Sequence, residues 1–277
     1  MIEFFKSVGH NLVAWRKQVL ELALITLRQE TKGTFLGVFW LIIKRAIFVG
    51  CLWVAIYLGI RGGSSEMSQT QYLMWLTAGL IPWFYLSEAI GTGSKLFLKY
   101  KHLVCRLKFP IELIPVFYLL SAMFVHLMLL AILIVMYLLF GGTFDVYFLQ
   151  LPLVVVLMYV FSIGWSLLTS TLTAFSRDIE HFIQAIKTPI FWLSGIIFDI
   201  SSVDIPVFQA FLLVNPITFI AECYRTVFSN GSVIGDGGSW IWSDPVFFWV
   251  GIAVIALTLI LGLLLFAKFR KDIPDVV

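Results

Sequence analysis

Charge is what this chain of 277 residues has least of. Asp, Glu, Lys and Arg make up 13% of it, about half the ~25% of an ordinary soluble domain. Apolar residues make up 60% and the mean hydropathy is +0.98. That balance excludes a soluble globular enzyme and points to an integral membrane protein. A long polar stretch is also missing, so there is no room for a soluble catalytic domain, and any cytosolic engine is expected on another chain. The three cysteines are odd in number. Cys51, Cys105 and Cys223 fall in a span, a cytoplasmic loop and the outer region, which argues against a disulfide framework or a metal site. No short apolar segment with a small-residue cleavage site begins the chain, so no cleaved signal is expected. GTGSK at 91–95 lacks the spacing of a phosphate-binding loop. The acids Asp199, Asp204, Glu222, Asp236 and Asp244 have no His cluster or metal-ligand spacing, so no covalent chemistry is expected of this chain. The net charge of +3 is modest and fits basic loops beside anionic lipid, without nucleic acid.

What the chain does have is a series of apolar runs with cations in alternate connections. Lys6, Arg16, Lys17, Arg28 and Lys32 lie in the N-terminal arm, and Lys95, Lys99, Lys101, Arg106 and Lys108 between the second and third runs. Arg177 and Lys187 follow the fourth run, and Lys268, Arg270 and Lys271 lie in the tail. Only Arg61 and Arg225 fall in the other connections. Basic loops resist translocation, so both termini are expected in the cytoplasm. The fold expected is all-α: a polytopic membrane protein with one membrane domain over 1–277. An amphipathic interface helix in 1–33 is read from Leu12, Trp15, Val19 and Leu22 at helical spacing. Five spans occupy 34–204, at 35–60, from 67 to 87 and on toward Ser94, within 113–144, within 146–176, and at 182–198. A re-entrant outer hairpin at 205–228 follows, then an external loop at 229–244, a sixth span at 245–267 and a cytoplasmic tail. Asn215-Pro216 splits the apolar stretch 205–221, because proline removes a donor and disfavours helix at the residue before it. Parity agrees: a full span there would put the basic tail outside. No internal repeat is evident, which disfavours transporter folds built from inverted halves.

Two cytoplasmic connections stand out. KLFLKYKHLVCRLKFP at 95–110 is basic with interspersed Leu and Phe, and either docks on a partner or serves only to fix topology. SRDIEH at 176–181 mixes both signs, which gives little topological bias and favours directional contacts to a protein. Lys44 and Arg45 sit inside the first run, toward the inner leaflet; they either snorkel to headgroups or recognise a phosphate, for which arginine offers a planar fork. Glu88 and His126 are further interior candidates, with an interfacial carboxylate and a helix-to-helix hydrogen bond as the plainer readings. Most tryptophans fall near span ends, as interfacial belts require; some, Trp40 and Trp83 among them, would stack on sugar rings if they faced a conduit.

The ordered motifs TKGTFLGVFW at 31–40, AGLIPW at 78–83, LKFPIELIP at 107–115, SRD at 176–178, Asn215-Pro216 with ECYR at 222–225, and KFRKDIP at 268–274 resemble the permease subunits of ABC-2-type polysaccharide exporters. GIRG at 59–62 and the KFRKDIP ending make the chain look most like teichoic acid exporters. Lys44 departs from many such permeases, which look to have a neutral residue or proline there. The resemblance implies a transport subunit without its own ATP site, paired with a second copy of itself and two copies of an ABC ATPase that binds ATP and Mg. The cargo implied is a lipid-linked anionic glycopolymer, a teichoic acid first, with O-antigen or capsule as alternatives, moved from the inner to the outer face of the bacterial cytoplasmic membrane. It further implies that the N-terminal helix and Lys99, Lys101, His102, Arg106, Arg177, Asp178 and Glu180 contact the ATPase. Asn215, Pro216, Glu222 and Arg225 would belong to an outer gate. An intramembrane enzyme of envelope lipid assembly and an ATP-independent carrier are the rival readings.

Overall fold

The computed structural model describes residues 9–60, 68–106, 109–229 and 239–277, and every regular element among them is helical. The start of the N-terminal arm, Arg61 and Gly62, Leu107 and Lys108, and residues 230–238 of the expected external loop lie outside the described residues, as does the side chain of Arg106. Helix α1, Arg16–Glu30, buries Val19, Ala23, Thr26 and Leu27, a stripe at i, i+4, i+7 and i+8. The stripe continues the expected one: Trp15 and Leu22 are partly buried against the core beside Val19, Trp15 meeting Phe109 edge-on at 5.5 Å, and only Leu12 is exposed. Leu20, Leu24 and Ile25 remain exposed, giving α1 the second apolar side that an interfacial helix turns to lipid. Gly33 (φ 81) and Gly37 (φ 53) then turn the chain in left-handed conformations that a Cβ would disfavour.

Helix α2, Phe39–Val54, runs on into a π-helical turn, Ala55–Ile60, and α2 itself has no buried residue. Helix α3, Gln69–Gly91, starts on a capping box between Ser68 and Gln71 and occupies the middle of the molecule. It packs against α2, α6 (Leu113–Leu139), α7 (Leu151–Phe175), α8 (Arg177–Leu193) and α10 (Pro216–Phe228). Between α3 and α6 lie a 3-10 turn, Thr92–Lys95, and two short helices, α4 (Leu96–Lys99) and α5 (Lys101–Arg106). Helix α9, Pro206–Val214, precedes α10, and α11, Pro245–Phe269, starts on Asp244, whose carboxylate accepts from the amides of Val246 and Phe247. The short α12, Ile273–Val276, ends the chain. Helices α7 and α11 meet backbone to backbone. A Cβ on Gly262 would fall on the Gly164 carbonyl oxygen, and one on Gly164 would lie 2.5 Å from Leu259 Cα. Small residues at such a crossing replace the hydrophobic drive that lipid withholds.

Five helices are long and apolar enough to cross a membrane: Phe39–Tyr57, Gln69–Lys99, Leu113–Leu139, Val146–Phe175 and Pro245–Phe269. The split at Asn215-Pro216 is present, with Pro206–Val214 and Pro216–Phe228 bent by 79°. Counted as one span, that pair would make a sixth. The span expected at 182–198 is not among the five. Helix α8 has 17 residues, begins with Arg177, Asp178, Glu180 and His181, and stops before Gly195 (φ 66) turns the chain. Its apolar part is shorter than the ~20 residues a span needs. Its packing nevertheless follows α3 from the turn at its C-terminal end back to Trp83. Glu180 meets Lys95 at 2.7 Å, Gln184 donates to the Gly91 carbonyl at 3.1 Å, and Phe191 lies 5.3 Å from the Trp83 ring. Beyond the helix, Arg225 joins the Gly195 carbonyl to Trp75. From Lys95 back to Trp75 is about 30 Å of helix at 1.5 Å per residue, close to the thickness of a hydrocarbon core.

Candidate functional site

The two charged connections singled out in the sequence meet in space. Lys95 Nζ reaches Glu180 Oε1 at 2.7 Å, tying the 3-10 turn after α3 to the first turns of α8. Both side chains are partly exposed, so the bridge fixes position more than it stabilises, contributing about 0.2–1 kcal/mol. Asp178 and Glu180 lie in the first turn of α8, where the helix dipole favours acids. Arg177 and Asp178 are exposed, as are Lys101 and His102 on α5, while Leu103 and Val104 face inward. Lys99 is not free in the same way: its ammonium sits 4.4 Å from the centroid of Tyr118, whose hydroxyl donates to Glu88. Behind α5, Ile273 of α12 is fully buried and Cys105 Sγ lies 3.6 Å from the Pro274 carbonyl oxygen. Lys95, Gln184 and Ile273 had no distinguishing sequence signal beyond lying in charged or motif-bearing stretches.

Lys44 and Arg45, adjacent in sequence, face different surroundings. Lys44 is exposed and lines a cavity of about 170 Å3 with Glu30, Thr31, Thr34, Gly37 and Trp40, between the end of α1 and the start of α2. Arg45 turns toward α3. It donates to the Leu41 carbonyl at 2.7 Å, lies 5.8 Å from the Phe84 ring and borders an apolar groove of about 240 Å3 with Ile42, Thr77 and Ile132. The carboxylates of Glu30 and Glu88 supply the opposite charge near it. Partial burial and the Glu88 carboxylate push the Glu30 carboxyl above its ordinary pKa, against the pull of Lys99 and Arg45. The structure therefore brings Trp40 to Lys44 and supplies Arg45 with internal counter-charges. Trp83 is elsewhere: it is buried against Phe191 between α3 and α8.

On the opposite side, the residues expected at an outer gate form a buried joint. Asn215 caps α10 by accepting from the Ile217 amide at 2.9 Å and donates to the Ser194 hydroxyl at 2.8 Å. Pro216 occupies the first turn, where its missing N–H costs nothing. Arg225 is 3% exposed, paired with Glu222 and set 3.5 Å from the Trp75 ring centroid. His126 bonds the Tyr224 hydroxyl at 2.7 Å, the helix-to-helix role rather than that of a ligand. Among the described residues no group of His, Cys, Asp or Glu could hold a metal ion.

Curated proteins similar to the chain include two permeases named "O-antigen export system permease protein RfbA". The one from Myxococcus xanthus is 19% identical over 79% of this chain and 82% of its own length. One from Klebsiella pneumoniae is 23% identical over 75% and 78% respectively. The sequence profile "ABC-2 type transporter" matches residues 17–229. Helices of membrane-spanning length, cytoplasmic-type charge clusters and a family match over most of the sequence agree: the chain belongs to the ABC-2 type transporter family and is a membrane permease, a transport subunit and not itself an enzyme.

Proposed function

We propose that two copies of this permease and two copies of a separate ATPase, which binds ATP and Mg, export a lipid-linked anionic glycopolymer from the inner to the outer face of the bacterial cytoplasmic membrane. The observation that carries the reading is a polar stripe on α8. His181, Gln184 and Thr188 are all exposed and lie at i, i+3 and i+7 on one side of the helix; the edge of that side at Gln184 and Phe191 meets α3 through Gly91 and Trp83, and Ile183 is buried. Polar groups at membrane depth face water or polar cargo. Beside the stripe, α2 has no buried residue, and its Phe48 approaches Phe191 of α8 at 6.0 Å. The two helices thus form one unpartnered surface, which suits a second copy closing a conduit. Both termini are cytoplasmic in this reading, α8 crosses, and α9–α10 re-enters from outside, which preserves the charge asymmetry of the loops. Arg177, Asp178 and Glu180, with Lys99, Lys101, His102 and Arg106, form the surface for the ATPase. Lys44 meets the cargo phosphate from the cavity it shares with Trp40.

Teichoic acid is the cargo favoured by the GIRG and KFRKDIP motifs. O-antigen is the second reading, favoured by the names of the relatives. Reconstitution of the permease with its ATPase in liposomes separates them: stimulation of ATP hydrolysis by a lipid-linked teichoic acid and not by a lipid-linked O-antigen supports the first, and the reverse result replaces it. Failure to co-purify with any ATPase would reject the exporter reading.

A further inference from the structure

Asn215 at the start of α10 and Thr218 and Arg225 within it converge on one place, the C-terminal end of α8. A helix end leaves its last four carbonyls without intrahelical donors, and lipid supplies none. Here the Ser194 hydroxyl donates back to the Ile190 carbonyl at 2.6 Å, and the carbonyls at and just beyond the helix end, at 194–196, take their donors from α10. Thr218 donates to the Ser194 carbonyl at 3.0 Å, and Arg225 donates to the carbonyls of Gly195 at 2.8 Å and Ile196 at 2.6 Å. Asn215 adds its bond to the Ser194 hydroxyl. Glu222 balances the guanidinium charge and Trp75 covers its face. Gly79 makes room for it, since a Cβ there would lie 2.7 Å from Arg225 Nη2. A planar group with five donors can hold several carbonyls at once, which an ammonium on a flexible stem does less well. Taking such a buried cation away from its partners is expensive, so this joint is stiff. By contrast α9 buries only Leu212, and core packing does little to hold it in place.

The opposite end of α8 is the exposed charged turn at Arg177 and Asp178, tied to α3 through Glu180 and Lys95. One helix therefore begins in the cytoplasmic charge cluster and ends in the grip of the outer pair. We infer that Arg225 is a positioning residue that locks α9–α10 to the end of α8 and to Trp75 of α3, so that a displacement imposed on the Arg177–Asp178 turn is passed to the outer pair through that joint. The inference rests on the exporter reading and adds the route by which the ATPase would act on the outer face.

The test uses the permease–ATPase complex in liposomes, with Cys51→Ser, Cys105→Ser and Cys223→Ala removing the native thiols. A reporter, Val207→Cys, is placed on α9, where Val207 is 82% exposed. Its reaction with an impermeant maleimide is measured with and without a non-hydrolysable ATP analogue. The analogue should change the labelling rate of this parent. Arg225→Gln should abolish the change while basal ATP hydrolysis persists, and Arg225→Lys should not restore it. Linking Ser194→Cys to Asn215→Cys, whose native side chains are 2.8 Å apart, should restore the change under oxidation and lose it on reduction, which a general folding defect would not do. Should Arg225→Gln fail to reach the membrane, Thr218→Val removes a single donor and should weaken the response. An Arg225→Gln complex that hydrolyses ATP and keeps the parent's full response overturns the inference. A hydrolysing, cargo-stimulated parent with no response at Val207→Cys overturns it too, while leaving the exporter reading in place.

Discussion

Lys44 and Arg45 differ in surroundings, and so should their substitutions. Lys44 is exposed, and replacing such a residue changes stability by no more than about 0.5 kcal/mol. Lys44→Gln should therefore leave the thermal midpoint unchanged but lower cargo-stimulated ATP hydrolysis; unchanged stimulation would leave snorkelling as its role. Arg45, with Lys99, opposes the charge of Glu30, and it also lies near Glu88. Arg45→Gln should lower the thermal midpoint at pH 7, and by less at pH 5. The sign follows from Glu30: its carboxyl pKa is already raised, so its ionised form is disfavoured in the folded state and stability is lost as pH rises through its titration. Removing Arg45 enlarges that loss, and protonation at low pH relieves it. Unfolding curves of the purified protein at the two pH values provide the measurement. Arg177 and Asp178 are exposed too, so the double alanine variant should insert and melt as the parent does, yet lose export and cargo-stimulated hydrolysis. Full export by that variant would remove the turn from the coupling surface.

Among the elements, α7 and α11 depend on having no side chain where they cross. Any residue at 262 must displace the Gly164 carbonyl, so Gly262→Leu should cost at least the ~1–3 kcal/mol typical of overpacking. A monodisperse, parent-like elution profile of that variant in detergent would contradict the close approach. The tail has a comparable role beside α5. Helix α12 packs on α5 and α7, with Ile273 fully buried, and burying an isoleucine is worth about 1.5–3 kcal/mol. Ile273→Asp should release α5, which is read as faster thiol labelling at His102→Cys with membrane insertion intact. Labelling at the parent rate would show that α5 holds its place without the tail.

For the whole molecule, the orientation of α8 decides the topology. If α8 crosses and α9–α10 re-enters, Val207→Cys is labelled only from outside and His102→Cys only from inside. Labelling of Val207→Cys from the cytoplasmic side would overturn that arrangement. In the proposed exporter the unburied face of α2 and the exposed side of α8 would then form the surface between copies, with the polar stripe of α8 toward the conduit.

Composition and periodicity determined the class: 13% charge and long apolar runs admit only a helical membrane protein, because lipid leaves backbone groups no partner outside a helix or a closed barrel. The break at Asn215-Pro216 was also legible, since proline acts locally. The core-facing stripe of α1 was legible at Trp15, Val19 and Leu22, and the structure extends it through Ala23, Thr26 and Leu27. Tertiary structure alone separated Lys44 from Arg45, put Trp83 in the interior and joined Lys95 to Glu180, since each of these depends on which distant helix lies alongside. It also decided how a helix of 17 residues extends along α3: the carbonyls at and beyond its end are held by Thr218 and Arg225. Those donors lie far along the chain, so no local pattern around residues 194–196 announces them.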